Sequence, residues 1–284
     1  MDEGEGETTA SNLSDSSPNK VSTIKYDRGI FDVWALGITV VIGGQYFSWN
    51  AGLAAGFGSY IICTFLIGSA YFCLCLCTSE LTSALPFAGG AYGLARCTLG
   101  FYAGFLVGCC ETAEYICYVA VSAISLAQIV TSVFDSVVGY EPVIWLAFYV
   151  SALIVHVCGG KFFWYFNALA AIVSFLLVVI YCLGSFQYMN FDVNAATENG
   201  QYFVGGFSNF LRVLPIAAWF FVGVEALNMS CDDIVAPRKT IPIGQISCIV
   251  TLNLTAIMVM FVSTSLPGGI DDVSTALAPL NTGA

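Results

Sequence analysis

The sequence predicts an all-α membrane protein that crosses the bilayer several times. Of its 284 residues, 58% are hydrophobic and only 10% are charged, whereas soluble domains average about 45–50% apolar and about 25% charged residues. The chain also contains several uncharged stretches of the length that a helix needs to cross the hydrocarbon core, about 20 residues. Together these observations exclude a soluble globular enzyme.

The charge of the chain is strongly acidic, with 8 Lys and Arg against 19 Asp and Glu and a net charge of -11. A protein that binds nucleic acid needs a basic surface to neutralise phosphates, so nucleic acid is excluded as a partner. Many of the acids lie near the N-terminus, where residues 1–28 are rich in Gly, Ser, Thr and acids and poor in large apolar side chains. We therefore expect residues 1–28 to form a disordered tail.

The 12 cysteines of the chain are predicted to be free thiols. Most of them lie inside apolar stretches, where free cysteine behaves as a small hydrophobe, whereas a disulfide framework belongs to short secreted chains. Cys73, Cys75 and Cys77 are spaced two apart, so on a helix they point in different directions and cannot share a metal ion. No cofactor or metal is expected.

Seven largely apolar stretches are predicted to form membrane spans. In chain order they are residues 33–56, 59–79, 101–131, 143–158, 162–184, 207–231 and 243–265. The third is longer than the bilayer requires and the fourth is shorter, so we expect the third to tilt or project.

The positive charges predict how these spans are oriented, because Lys and Arg concentrate in cytoplasmic loops. Seven of the eight cations lie before the first span or after the second, fourth and sixth spans, and only Arg212 lies on the other side. The N-terminus is therefore expected in the cytoplasm, and residues 266–284 in an extracellular loop. The plasma membrane is the expected location.

Two spans contain residues that interrupt a helix. The first span holds Ile42-Gly43-Gly44-Gln45-Tyr46, and the sixth holds Pro215 followed by Trp219-Phe220-Phe221-Val222-Gly223. A glycine pair in a membrane helix marks either close packing or local unwinding. Interruptions at matching positions of two helices favour unwinding at a transporter's binding site.

Unwound helix ends suit a small zwitterionic or cationic solute. Their free N–H groups can bind a carboxylate, and their free carbonyl groups can bind an amine or a cation. The aromatic run at residues 219–221 either packs in the protein or stacks on an ammonium group through cation–π attraction.

Three stretches resemble the amino acid-polyamine-organocation superfamily of permeases. The first is Gly43-Gly44; the second is the run at residues 80–92 with its Pro, Gly-Gly and aromatic residue, followed by Arg96 and Gly100. The third runs from Phe221 through Asp232-Asp233 to the Pro-Arg and Ile-Pro pairs of residues 237–242. In this order and at these separations, the three stretches identify the chain as a member of the superfamily.

The resemblance implies a LeuT-type fold of two inverted five-helix repeats, of which this chain holds the first repeat and two helices of the second. It thus implies an N-terminal part, with residues 29–265 as the permease domain and about five helices absent. The lysine that some members carry in helix 5 as a substitute for sodium is missing from residues 162–184. The coupling ion is therefore left open between H⁺ and Na⁺.

Three carboxylates at membrane depth are candidate functional groups, because burying a charge in the bilayer is costly. Glu111 and Glu114 are three residues apart on one helix face, so they could share a proton or bind an amine. Their spacing also resembles the ethanolamine-permease branch of the superfamily. Glu225 follows the sixth-span interruption and corresponds to a gating or proton-sensing position in some members.

We therefore expect a non-enzymatic carrier of amino acids or small amines that works by alternating access around the two interruptions, with the lipid bilayer as its environment. The alternative is a truncated membrane protein that does not transport and instead assembles with, or regulates, full-length permeases.

Overall fold

The computed structural model describes residues 28–196 and 200–281, and throughout these residues the regular structure is helical. The predicted all-α membrane fold is confirmed. The expected disordered tail lies outside the described residues except for Arg28.

Within the described residues, six helices are long and apolar enough to cross a membrane. They are Phe57–Ala84, Phe101–Val133, Glu141–Cys158, Gly160–Tyr188, Gly206–Asp232 and Pro237–Ser265. The first predicted span contains a shorter apolar helix, Ile30–Val41. It is shorter than predicted because regular α-helix ends before the glycine pair.

We number the α-helices in chain order. They are α1 (Ile30–Val41), α2 (Gly43–Tyr46), α3 (Phe57–Ala84), α4 (Gly90–Leu99), α5 (Phe101–Val133), α6 (Glu141–Cys158), α7 (Gly160–Ser185), α8 (Phe191–Asn194), α9 (Gly206–Val213), α10 (Pro237–Ser265) and α11 (Gly269–Thr275). Short 3-10 segments join several of them, the longest being Trp49–Ala55, Leu214–Phe220 and Val224–Asp232.

Both spans with predicted interruptions depart from regular α-helix. After α1, the chain turns at Ile42, forms the single turn α2 and passes into a 3-10 segment. The sixth span begins as α9 and continues as two 3-10 segments, which Gly223 separates with a φ of 100°. Pro215 lies at the start of the first of these segments, where it offers no backbone N–H to continue α9.

The core of the protein lies between α1, α3, α10 and the interrupted sixth span. The indole of Trp34 on α1 donates a hydrogen bond of 3.1 Å to Thr251 on α10. On another side of α1, the Thr39 hydroxyl is hydrogen-bonded to the carboxamide of Asn167 on α7. Helix α1 is thus fixed to two neighbouring helices by polar contacts as well as by apolar packing.

Helices α5 and α6 lie at the periphery. No residue of α6 is buried, and in α5 the buried residues are Gly104, Ala123, Ser125 and Ala127. Large apolar side chains cover both helices on the outside, as expected for helices that contact lipid or other membrane helices.

One end of the helix bundle, which we call the cationic face, gathers the loops that carry the predicted cytoplasmic cations. The Arg28 guanidinium lies 5.7 Å from the ring centre of Trp164, so the start of α1 is close to the start of α7. The Ser83 hydroxyl donates to the carbonyl of Arg238, which joins the end of α3 to the start of α10.

The opposite end is held together by loop contacts. The Gly58 amide donates to Tyr202, and the side chain of Asn50 donates to the carbonyls of Val273 and Ala276. Residues 266–281 therefore fold back over the end of the first span.

Sequence analysis did not predict helix α4. This ten-residue helix contains two glycines and two alanines besides polar residues, so it lacks the long apolar run that identifies a span. It packs along the start of α5 at the cationic face.

Candidate functional site

The interruptions of the first and sixth spans are in direct contact. The Cα of Gly44 lies against the backbone carbonyl of Trp219, where a β-carbon would overlap with the carbonyl oxygen. On the other side of the contact, a β-carbon at Gly223 would come within 2.7 Å of a methyl group of Val40. Glycine at these two positions thus allows the two interrupted spans to approach each other closely.

Tyr118 of α5 connects both interruptions. Its hydroxyl donates a hydrogen bond of 3.1 Å to the carbonyl of Val40, the next-to-last residue of α1. Its ring stacks on Trp219 with a centroid distance of 5.6 Å and an interplanar angle of 26°. A β-carbon at Gly43 would lie 3.6 Å from the same hydroxyl.

A cavity of about 190 Å³ opens beside this contact, between α5 and the sixth span. Its lining combines one carboxylate and two aromatic rings with small apolar groups: Glu114, Cys117, Tyr118, Pro215, Ala218, Trp219 and Val222. Aromatic rings and a carboxylate around a small apolar space are the groups that recognise an ammonium ion.

The predicted residues of the first span lie near the contact, but two of their side chains point elsewhere. The Gln45 carboxamide donates to the Leu252 carbonyl and the Thr255 hydroxyl of α10. The Tyr46 hydroxyl donates to the carbonyl of Ser174 on α7. Ile42 is buried in the core.

The aromatic run of the sixth span divides in the same way. Trp219 lines the cavity together with Val222, whereas Phe220 and Phe221 are fully buried. Phe220 packs on Trp49 at 5.3 Å, and Phe221 packs on Tyr71 at 5.8 Å. Phe220 and Phe221 therefore pack inside the protein, and of the three aromatic residues only Trp219 lines the cavity.

The carboxylate of Glu225 is hydrogen-bonded to the backbone at the interruption of the sixth span. Both of its carboxylate oxygens accept a hydrogen bond of 3.1 Å from the Gly223 amide, and the Tyr115 hydroxyl lies 3.5 Å from one of them. The side chain is largely buried, with 9% exposure. A buried carboxylate at the interruption therefore contacts both the sixth span and α5.

The two glutamates of α5 have different surroundings. Glu114 lines the cavity beside Trp219. The carboxylate of Glu111 instead accepts hydrogen bonds from the backbone amides of Ala91 and Tyr92, at 3.3 and 3.1 Å, in the first turn of α4.

A larger cavity, of about 600 Å³, lies on the side of the cationic face. It extends between α1, the start of α7 and the last part of the sixth span, and its lining includes Val40, His156, Trp164, Ser230 and Asp233. Because Val40 also meets Gly223, this cavity reaches from the cationic face to the contact between the interruptions.

Gln245 of α10 is a site residue that sequence analysis missed. Its carboxamide donates to the carbonyl of Val224, and its oxygen accepts from the hydroxyls of Thr78 and Ser79 on α3. The side chain is completely buried. It thereby satisfies a backbone carbonyl directly after the interruption.

A sequence signal existed for Tyr115 and Tyr118, the two site residues of α5 that sequence analysis missed. Glu111, Glu114, Tyr115 and Tyr118 follow the spacing of one helical face, which places the polar groups of this span on one side. No such periodic signal marks Gln245. Within the described residues, no group of three or more His, Cys, Asp or Glu side chains could hold a metal ion, and no disulfide joins the cysteines.

The long apolar helices define a multi-pass membrane protein. The sequence comparison agrees, because residues 33–281 match the family model described as amino acid permease. The chain therefore belongs to the amino acid permease family.

Curated relatives are transporters of several kinds. The chain is 26% identical to an uncharacterized transporter of Rhizobium meliloti, over 82% of this chain and 51% of that protein. It is 26% identical to the methylthioribose transporter of Bacillus subtilis, over 88% and 57% of the two chains. With the branched-chain amino acid permease of the same organism it shares 24% identity, over 86% and 56%. The chain thus spans about half the length of these relatives.

Proposed function

We propose that this chain carries amino acids or small amines across the membrane, with the binding site where the two interrupted spans meet. The observation that carries the proposal is the cavity lined by Glu114, Tyr118 and Trp219 beside the contact between Gly44 and Trp219. A charge at this depth needs a counter-charge or an aromatic face, and this cavity offers both.

Alternating access gives the two cavities separate roles. The small cavity binds the ammonium group of the substrate, and the large cavity is the route between this site and the cationic face. The Gly43-Gly44 turn contacts a substrate carboxylate where one is present. Glu225 is the gating or proton-linked group.

The proposed organisation follows from the predicted orientation. Residues 1–28 form a cytoplasmic tail, residues 29–265 form the permease domain of a first repeat with two helices of an inverted second repeat, and residues 266–284 are extracellular. The cationic face lies in the cytoplasm and the protein in the plasma membrane. The coupling ion is H⁺ or Na⁺.

Uptake by the purified chain in proteoliposomes tests this function. We expect saturable uptake from a panel of radiolabelled neutral amino acids, cationic amino acids and small amines such as ethanolamine. Competition by amino acids but not by ethanolamine would indicate a substrate carboxylate at the glycine turn, and the reverse would indicate an amine carrier. Replacing the pH gradient by a Na⁺ gradient identifies the coupling ion.

The alternative function, assembly with another permease, is supported by the exposed helix α6. It predicts no uptake by the chain alone and a stable complex when it is co-expressed with a longer permease. No uptake by the chain alone, under any gradient, would overturn the proposal that it carries substrates itself.

A further inference from the structure

Helix α4 is fitted closely against α5 over its whole length. A β-carbon at Gly104 would come within 2.8 Å of the backbone of Arg96, and a β-carbon at Gly108 would come within 3.0 Å of the ring of Tyr92. The Arg96 guanidinium also donates to the Tyr92 hydroxyl, at 2.6 Å, on the same helix. The glycines of α5 thus provide the surface on which α4 lies.

The first turn of α4 is held by a side chain from outside the helix. The N-terminal amides of a helix have no partners within it, and a carboxylate that accepts from them also interacts favourably with the helix dipole. Gly89, the residue directly before α4, has no side chain to provide such a cap. The two oxygens of Glu111 accept from the Ala91 and Tyr92 amides instead.

The same turn also touches the sixth span. A β-carbon at Gly90, whose φ is +59°, would lie 2.8 Å from the terminal methyl of Met229 and 3.3 Å from a carboxylate oxygen of Glu111. Met229 belongs to the 3-10 segment that follows the interruption. Three elements therefore meet within contact distance around Gly90.

We propose that Glu111 is a positioning residue whose carboxylate holds the first turn of α4 between α5 and Met229, so that α4 tethers the sixth span to α5 at the cationic face. This inference goes beyond the proposed function, because it assigns Glu111 to the tether and leaves Glu114 at the substrate cavity and Glu225 as the gating or proton-linked group. Both oxygens of Glu111 are used in this contact.

Amide hydrogen exchange of the full chain in lipid nanodiscs tests the tether. Glu111→Leu keeps a similar volume and removes both acceptors, whereas Glu111→Gln keeps one. We expect exchange at residues 90–93 to rise about fivefold in the leucine variant, the factor that a typical lost helix cap produces, and to rise less in the glutamine variant. A role in packing alone predicts no difference between these two variants.

Thr112→Val is the matched control. Thr112 and Glu111 both line a cavity of about 380 Å³ between the start of α4, α5 and Met229, but the Thr112 hydroxyl donates to Gly108 within α5. Exchange at α4 is expected to be unchanged in this variant. If the leucine variant does not insert, the glutamine variant alone decides the question. Wild-type exchange in Glu111→Gln, or equal exchange in both variants, would overturn the proposal.

Cross-linking tests the connection to the sixth span. Ala88→Cys and Met229→Cys, introduced after the native cysteines are replaced, place two thiols in the lining of one cavity. A short bifunctional maleimide should join them efficiently when Glu111 is present. The yield should fall several-fold with Glu111→Leu and stay constant with Thr112→Val, and an unchanged yield with Glu111→Leu would contradict the tether.

Discussion

The Cα of Gly44 in the first span lies directly against the carbonyl oxygen of Trp219 in the sixth span, with no room for a β-carbon between them. This contact joins two helices at the points where each departs from regular α-helical structure. It also places the Trp219 side chain, which points away from Gly44 into a cavity, at a fixed position relative to the first span.

Replacement of Gly44 tests the importance of this contact. Gly44→Ala must push the two spans apart, and overpacking of this kind costs typically about 1–3 kcal/mol. We expect a lower thermal unfolding temperature for the purified protein in detergent. Gly184→Ala on α7 is the control, because a β-carbon there meets no atom within 4 Å. Equal unfolding temperatures for the two variants would show that the contact is dispensable.

Removal of the Gln245 carboxamide tests the polar network behind the sixth-span interruption. Gln245→Leu leaves the Val224 carbonyl without its side-chain donor in a buried environment, which costs about 1–3 kcal/mol. Denaturant unfolding followed by fluorescence should show this loss of stability. Gln128→Leu on α5 is a matched control whose side chain is not part of this network. A Gln245→Leu protein as stable as the control variant would mean that the network contributes nothing.

Much of the fold could be predicted from the sequence, because span positions depend on the length and polarity of apolar stretches. The directions in which the side chains point could not be predicted from the sequence. Within the run at residues 219–221, all three residues are large aromatics, and only the local backbone conformation turns the first toward the cavity and the other two into the core. Helix α4 was not predicted from its own sequence, because the surface on which it packs is formed by glycines of α5.

The Glu225 carboxylate is the group whose charge we expect to matter for transport. Glu225→Gln keeps the shape of the side chain and one acceptor for the Gly223 amide, but it removes the charge. Uptake should fall, or its dependence on external pH should shift, while the protein still folds and inserts. Asp192→Asn, which changes an exposed acid outside the site, is the control. A wild-type rate and pH profile for Glu225→Gln would refute a gating or proton-linked role.

The orientation of the protein can be tested with impermeant thiol reagents. Single cysteines at Ser11 in the tail and at Ser274 in α11, each in a cysteine-free background, should differ in intact cells. Because most cations lie on the side of the tail, we expect labelling at Ser274→Cys and none at Ser11→Cys until the cells are permeabilised. Labelling of the tail position in intact cells would reverse the proposed topology.

The most direct test of the central claim is substrate affinity in a Trp219 variant. If the substrate ammonium binds beside this ring, Trp219→Leu should raise the KM for uptake by at least about tenfold, since a desolvated cation–π contact contributes about 2 kcal/mol. Trp145→Leu removes the same side chain from the exposed helix α6 and should leave the KM unchanged. An unchanged KM in a folded Trp219→Leu protein would contradict a binding site at the meeting point of the two interrupted spans.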